Sequence, residues 1–173
     1  MVIYDIYGGK NLLKKIIKLI VFDFDGVMTD NRVLVNEKGE EAVWVNRSDG
    51  LAVEMIRKMG IPMLILSTET NPIVSVRAKK LNLPVLQAVS NKKEALLDYC
   101  NSEKIDLTEV MYVGNDINDL PAMELVGYKV VPSDAYEEVK QISDIVLSSK
   151  GGGGVVRELA DLIKNGGLGK NGQ

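Results

Sequence analysis

Short, wholly apolar runs alternate with longer stretches that carry apolar residues on one helical face. Segment 18–24 is rich in β-branched and aromatic residues and is stopped by acidic residues and Gly26, the pattern of a buried strand. Runs of the same kind recur at 62–66, 83–86, 110–113, 128–131 and 145–147, six strands in all. Between them, Leu51, Met55, Ile56 and Met59, and then Ala95, Leu96 and Tyr99, repeat at helical spacing. Alternating strand and helix predicts an α/β fold of Rossmann-like type. Its parallel sheet carries helices on both faces, and the ligand crevice lies at the carboxyl ends of the strands.

Segment 32–46 breaks the rhythm. Val33 and Val35, then Glu37-Lys38-Gly39-Glu40, then Ala42-Val43-Trp44-Val45 predict a β-hairpin about a glycine turn, a flap spanning about 31–46. It is either a surface flap or an oligomerisation element, since its apolar face carries the single tryptophan and needs cover. Glycines 151–154 precede a helix over 155–164 and serve either as a hinge or as a backbone-donor loop beside an anion. The glycine-rich tail 165–173 is expected to be flexible.

The 173 residues, 46% hydrophobic and 26% charged, suit one domain and are too few for two. With no histidine, the chain excludes histidine-dependent hydrolases and histidine-ligated zinc. With one cysteine, Cys100, it excludes internal disulfides and points to a reducing, cytoplasmic setting. Its net charge of −3 and scattered basic residues argue against nucleic acid as a partner. The apolar stretch 16–22 is interrupted by Lys18, so neither a signal peptide nor a membrane span is expected.

Candidate chemistry gathers at the strand ends. Asp23-Phe24-Asp25-Gly26-Val27-Met28-Thr29-Asp30 sets two carboxylates two residues apart, where they are either turn formers or a nucleophile and a general acid/base for phosphoryl transfer. Gly114-Asn115-Asp116-Ile117-Asn118-Asp119 follows the fourth run, either as a helix N-cap or as oxygen ligands for a hard cation such as Mg²⁺. Ser67 and Thr68 follow the second run and Lys92 the third, a hydroxyl pair and an ammonium of the kind that steadies a transferring phosphoryl group.

Asp23 to Thr29 resembles the DxDGxxT signature of the haloacid dehalogenase superfamily, and Ser67, Lys92 and Gly114 to Asp119 fall in the order of its other three motifs. The short length, the lack of a large cap and the hairpin after Asp30 resemble the capless phosphatases of phosphorylated 2-keto-3-deoxy sugar acids. Similar domains also end some acylneuraminate cytidylyltransferases. The resemblance implies that Asp23 is nucleophile and Mg²⁺ ligand, and that Asp25 is general acid/base and offers its carbonyl to the metal. It further implies that Ser67, Thr68 and Lys92 hold phosphate and that Asn115 is the third metal ligand. Asp116 and Asp119 match the remaining acidic positions of the motif. It also implies a homotetramer in which four hairpins form a central barrel, with the glycines 151–154 reaching a neighbouring site.

Two departures bear on substrate. Octulosonate 8-phosphate phosphatases usually carry Thr-Gly-Arg in the second motif, whereas this chain has Ser67-Thr68-Glu69. Glu69 with Arg77 and Lys80 resembles the pattern of nononate 9-phosphate phosphatases instead, although Arg77 and Lys80 also read as solvated helix charges. Asn115 stands where aspartate is usual, with one negative charge fewer. The expected function is a Mg²⁺-dependent phosphatase of an eight- or nine-carbon sugar-acid phosphate. The alternative is a weakly active or inactive assembly module associated with a cytidylyltransferase.

Overall fold

A computed structural model describes residues 17–166. Six parallel strands form one sheet: β1 (Leu19–Phe22), β4 (Met63–Leu66), β5 (Val85–Leu86), β6 (Val110–Val113), β7 (Tyr128–Val131) and β8 (Ile145–Val146). Their spatial order is β5-β4-β1-β6-β7-β8. β1 lies in the middle, pairing Val21 with Leu64 on one side and with Tyr112 on the other. The order reverses at β1, which opens a crevice beyond its carboxyl end. The expected segment 83–86 shortens to two strand residues, because Asn82 ends the preceding helix in the left-handed region and Leu83 still donates to the Ala78 carbonyl.

Successive strand residues face opposite sides of the sheet and build two cores. Ile20 and Phe22 pack with α1 (Ser48–Lys58), α2 (Ile73–Leu81) and α6 (Val155–Lys164) through Ile56, Val74 and Leu159. Leu19 and Val21 pack with α3 (Lys92–Glu103), α4 (Leu120–Met123) and α5 (Glu137–Ile142) through Leu96, Met123 and Val139. Each large apolar side chain so buried contributes roughly 1.5–3 kcal/mol. α6 shows why: Val155, Val156, Leu159, Ala160 and Ile163 are all buried, one stripe of its surface. α3 starts sharply because the Asn91 side chain accepts from the amides of Lys93 and Glu94.

The hairpin forms a separate two-stranded antiparallel sheet, β2 (Thr29–Val35) and β3 (Glu41–Val45), with a bulge between Thr29 and Val33. Its turn is held by Asn36, whose side-chain oxygen accepts from the Lys38 and Glu40 amides. Among the described residues no helix is long and apolar enough to cross a membrane. The expected flexible tail falls, from residue 167 on, outside the described residues, as does the segment 1–16.

Candidate active site

β1 delivers Asp23 to the crevice floor, where its amide donates to the Val113 carbonyl at 2.9 Å. The chain then makes one helical turn, with the Met28 and Thr29 amides donating to the Phe24 carbonyl. Thr29 is the pivot of that turn: its hydroxyl accepts from the Gly26 and Asn31 amides and donates to Asp25 at 3.4 Å. Gly26 has φ +75°, and a Cβ there would stand 2.0 Å from the Asn115 side chain. The first and fourth motifs therefore touch backbone to side chain, which requires glycine.

Lys92, at the start of α3, reaches the floor with its ammonium 2.8 Å from Asp23 and 2.7 Å from Asp119, and all three side chains are buried. Asp119 is the hub. One of its oxygens also accepts from the Tyr112 hydroxyl at 2.8 Å, and the other from the Asn115 and Asp116 amides at 2.9 and 3.3 Å. The N-cap expectation for Asn115-Asp116 is not met, since α4 begins only at Leu120. Asp119 was legible only as a motif match; the clue to its role is Gly114, where a Cβ would lie 2.7 Å from the Asp119 carboxyl.

Burial, and then the charge of Asp119, push the Asp23 carboxyl above the usual carboxylate range, against the pull of Lys92. Burial lowers the Lys92 ammonium, but Asp23 and Asp119 more than offset it and the net direction is upward. With both carboxylates ionised, this buried floor would set two negative charges against the one Lys92 ammonium, which, after burial itself, is why the Asp23 carboxyl is raised. The Asn115 side-chain oxygen is buried there without a hydrogen-bond partner. Among the described residues no three acidic, cysteine or histidine side chains are grouped so as to hold a metal ion by themselves. An orphaned amide oxygen, the Asp23 carboxylate and main-chain oxygens are the donor set of a hard cation that keeps several waters, so the residues present fit Mg²⁺.

Asp25 stands higher, half-buried, at the edge of a cavity of about 280 Å³ between the hairpin and the β4–α2 loop. Burial, followed by the facing charge of Glu69, raises its carboxyl. Ser67 is buried at the end of β4, and its hydroxyl accepts from the Glu69 amide at 3.1 Å. Thr68 is exposed. Glu69 lines the cavity, with one oxygen accepting from the Thr70 and Asn71 amides.

Arg77 and Lys80 do not line that cavity. Arg77 is half-buried and donates to the Asn46 carbonyl at 2.7 Å, within electrostatic reach of Asp49, which is 1% exposed. Burial pushes the Asp49 carboxyl up to about 7, with Arg77 opposing. Lys80 is exposed near the end of α2. The glycine run is no free hinge: Gly151 donates to Asp134, Gly152 donates to the Val27 carbonyl, and the Gly152 carbonyl accepts from Asn46. It is stitched to the loop that follows β1 in its own chain.

Comparison with known proteins agrees with this geometry. The model of the haloacid dehalogenase-like hydrolases matches residues 65–159. The 3-deoxy-D-manno-octulosonate 8-phosphate phosphatase of Haemophilus influenzae is 32% identical over 148 residues, covering 85% of this chain and 82% of that protein. N-acylneuraminate cytidylyltransferase A of Danio rerio is 30% identical over 161 residues, 91% of this chain, but the match spans only 37% of that longer protein. Among solved structures, a HAD family hydrolase from Streptomyces avermitilis superposes with TM-score 0.84 at 45% identity, covering 88% of this chain and 93% of that one. The octulosonate 8-phosphate phosphatase from Moraxella catarrhalis, in complex with magnesium, phosphate and the sugar acid, also gives 0.84, at 30% identity and 88% coverage of each chain. A buried aspartate paired to lysine at the end of β1, within this fold and among these relatives, makes the chain a member of the haloacid dehalogenase-like hydrolases and a phosphomonoesterase.

Proposed function

We propose that this phosphatase removes the terminal phosphate of a 2-keto-3-deoxy sugar acid, a nine-carbon substrate in preference to an eight-carbon one. The observation that carries the reading is the division of labour between two aspartates, Asp23 locked to Lys92 on the buried floor and Asp25 free to meet a leaving group at the cavity edge. Asp23 attacks phosphorus and forms an acyl phosphate, while Asp25 gives its proton to the departing alkoxide. Asp25 then takes a proton from the water that attacks the acyl phosphate, and this frees Asp23 and inorganic phosphate. Ser67, Thr68 and Lys92 orient and neutralise the phosphoryl oxygens.

Asp23, the Asp25 carbonyl and Asn115 would hold Mg²⁺, whose chemistry is to offset negative charge on the floor and on the phosphoryl group. Glu69 favours the nine-carbon substrate. Arg77 and Lys80, assigned to the substrate with Glu69 by resemblance, stand outside the cavity that Glu69 lines, and the reading does not depend on them. The likeness to the cytidylyltransferase, with Asn115 in the floor, favours a second reading in which the domain serves assembly with such a partner.

The test is phosphate release with Mg²⁺ from octulosonate 8-phosphate, nononate 9-phosphate and acylneuraminate 9-phosphate, with Asp23→Asn as blank. A preference for one nine-carbon ester, lost in the variant, is expected. Release no greater than the blank from all three esters, together with no rise in melting temperature on adding Mg²⁺, would favour the assembly module.

A further inference from the structure

The leaving-group side of the crevice holds a residue that none of the four motifs supplies. Glu41, at the start of β3, hangs from the hairpin into the cavity beside Asp25 and Glu69. Asn71 on the opposite wall donates its side-chain NH₂ to the Glu41 carboxylate at 2.8 Å. Its own side-chain oxygen is taken by the Ile73 amide at 3.1 Å, so the amide is oriented with its donors toward the hairpin. This bond joins the hairpin to the β4–α2 loop across the space that the alcohol leaving phosphorus, protonated by Asp25, would occupy.

The lining of that space is lopsided in charge. Asp25, Glu41 and Glu69 contribute three carboxylates, and Arg32 is the single cation among the lining residues. Asp30 engages the Arg32 guanidinium at 2.9 and 2.6 Å. Val43 adds an apolar wall. Carboxylates in a half-enclosed cavity accept hydroxyl donors well and repel another carboxylate strongly. At about 280 Å³ the space sits near the lower end of small-molecule pockets, roughly 300–1,000 Å³.

We infer that Glu41, held across the crevice by Asn71, is a specificity residue that accepts hydroxyls of a polyol leaving group and excludes phosphate esters whose own carboxylate lies close to the phosphate. A sugar acid then fits only with its carboxylate at the far end of a hydroxylated chain. The inference rests on the role of Asp25 given above, because that role puts the leaving group in this cavity.

The experiment compares kcat/KM of the full chain with Mg²⁺ on three probes: sorbitol 6-phosphate, 3-phosphoglycerate and p-nitrophenyl phosphate. The wild type should favour the polyol ester over 3-phosphoglycerate, and Glu41→Ala should shrink that preference about 10-fold, the scale of a lost charge-assisted hydrogen bond, a larger change than its effect on p-nitrophenyl phosphate. Glu41→Gln keeps the shape and an acceptor, so it should retain the KM for sorbitol 6-phosphate yet admit 3-phosphoglycerate. An unchanged preference in both variants overturns the inference, and so does an equal fall on all three probes. Wild-type hydrolysis of p-nitrophenyl phosphate no faster than that of Asp23→Asn would instead overturn the assigned roles of the two aspartates, and this inference with them.

Discussion

The floor of the crevice and the hairpin above it solve different problems with different materials. On the floor, Asp23, Lys92 and Asp119 are buried charges tied together at 2.7–2.8 Å, and Tyr112 and two backbone amides complete the net. On the hairpin, Val33, Leu34, Val35 and Trp44 are more than half exposed, and polar links such as Asn71 to Glu41 and Asn46 to Gly152 tie it to the body. Buried charges are costly unless each is paired, so the floor admits little variation, and chemistry that needs fixed geometry sits there. The hairpin has latitude; on the inference drawn above it selects the leaving group, and it carries an exposed apolar surface.

The contrast breaks most sharply at Asp119. Asp119→Ala strands the Lys92 ammonium and the Tyr112 hydroxyl, and it should destabilise the fold by about 3–5 kcal/mol in denaturant unfolding and depress phosphate release with it. A variant as stable as the wild type would mean that the net is ornamental.

A smaller effect is expected at Asp49, beneath the hairpin's exit. Its carboxyl is raised to about 7 in the fold against 3.8 as its ordinary value. Its contribution to stability is therefore fully present below pH 3.8 and is lost as pH rises through about 7. Asp49→Asn removes this dependence and should gain about 1–2 kcal/mol at pH 8, read from unfolding at pH 5 and 8. A stability difference between variant and wild type that is the same at both pH values would contradict it.

The smallest effect on the fold belongs to the hairpin. Leu34→Lys with Trp44→Lys should shift the stability of the isolated subunit by no more than about 0.5 kcal/mol, since both side chains lie on its surface. The same pair should convert a tetramer to monomers in sedimentation, and a wild type that sediments as a monomer would remove the barrel that the resemblance implies.

Much of this arrangement was legible beforehand because a parallel sheet writes its strands as apolar runs and ends each at one edge. Asp23, Ser67, Lys92 and Asn115 could thus be assigned to a common crevice from their positions after those runs. What escaped detection depends on long-range contact. The partners of Asp119 lie 27 and 7 residues away in the chain, so its motif position did not disclose that it holds Lys92 and Tyr112 together. Asp49 looks like an ordinary acidic residue in the first turn of a helix, and only the tertiary fold buries it and brings Arg77 of α2 within electrostatic reach. For glycines 151–154 the sequence leaves the choice between a hinge and a backbone-donor loop open, because composition reports freedom but not the loop after β1 against which they are stitched.

The most direct measurement is chemical trapping of the intermediate. Wild-type protein is quenched during turnover with Mg²⁺, reduced with borohydride, and mapped by peptide mass spectrometry. Reduction of an acyl phosphate at Asp23 to homoserine, with Asp25 untouched and no signal in Asp23→Asn, is the expected result. Labelling at Asp25, or phosphate release at full rate from Asp23→Asn, would contradict the assignment of the two carboxylates on which the rest depends.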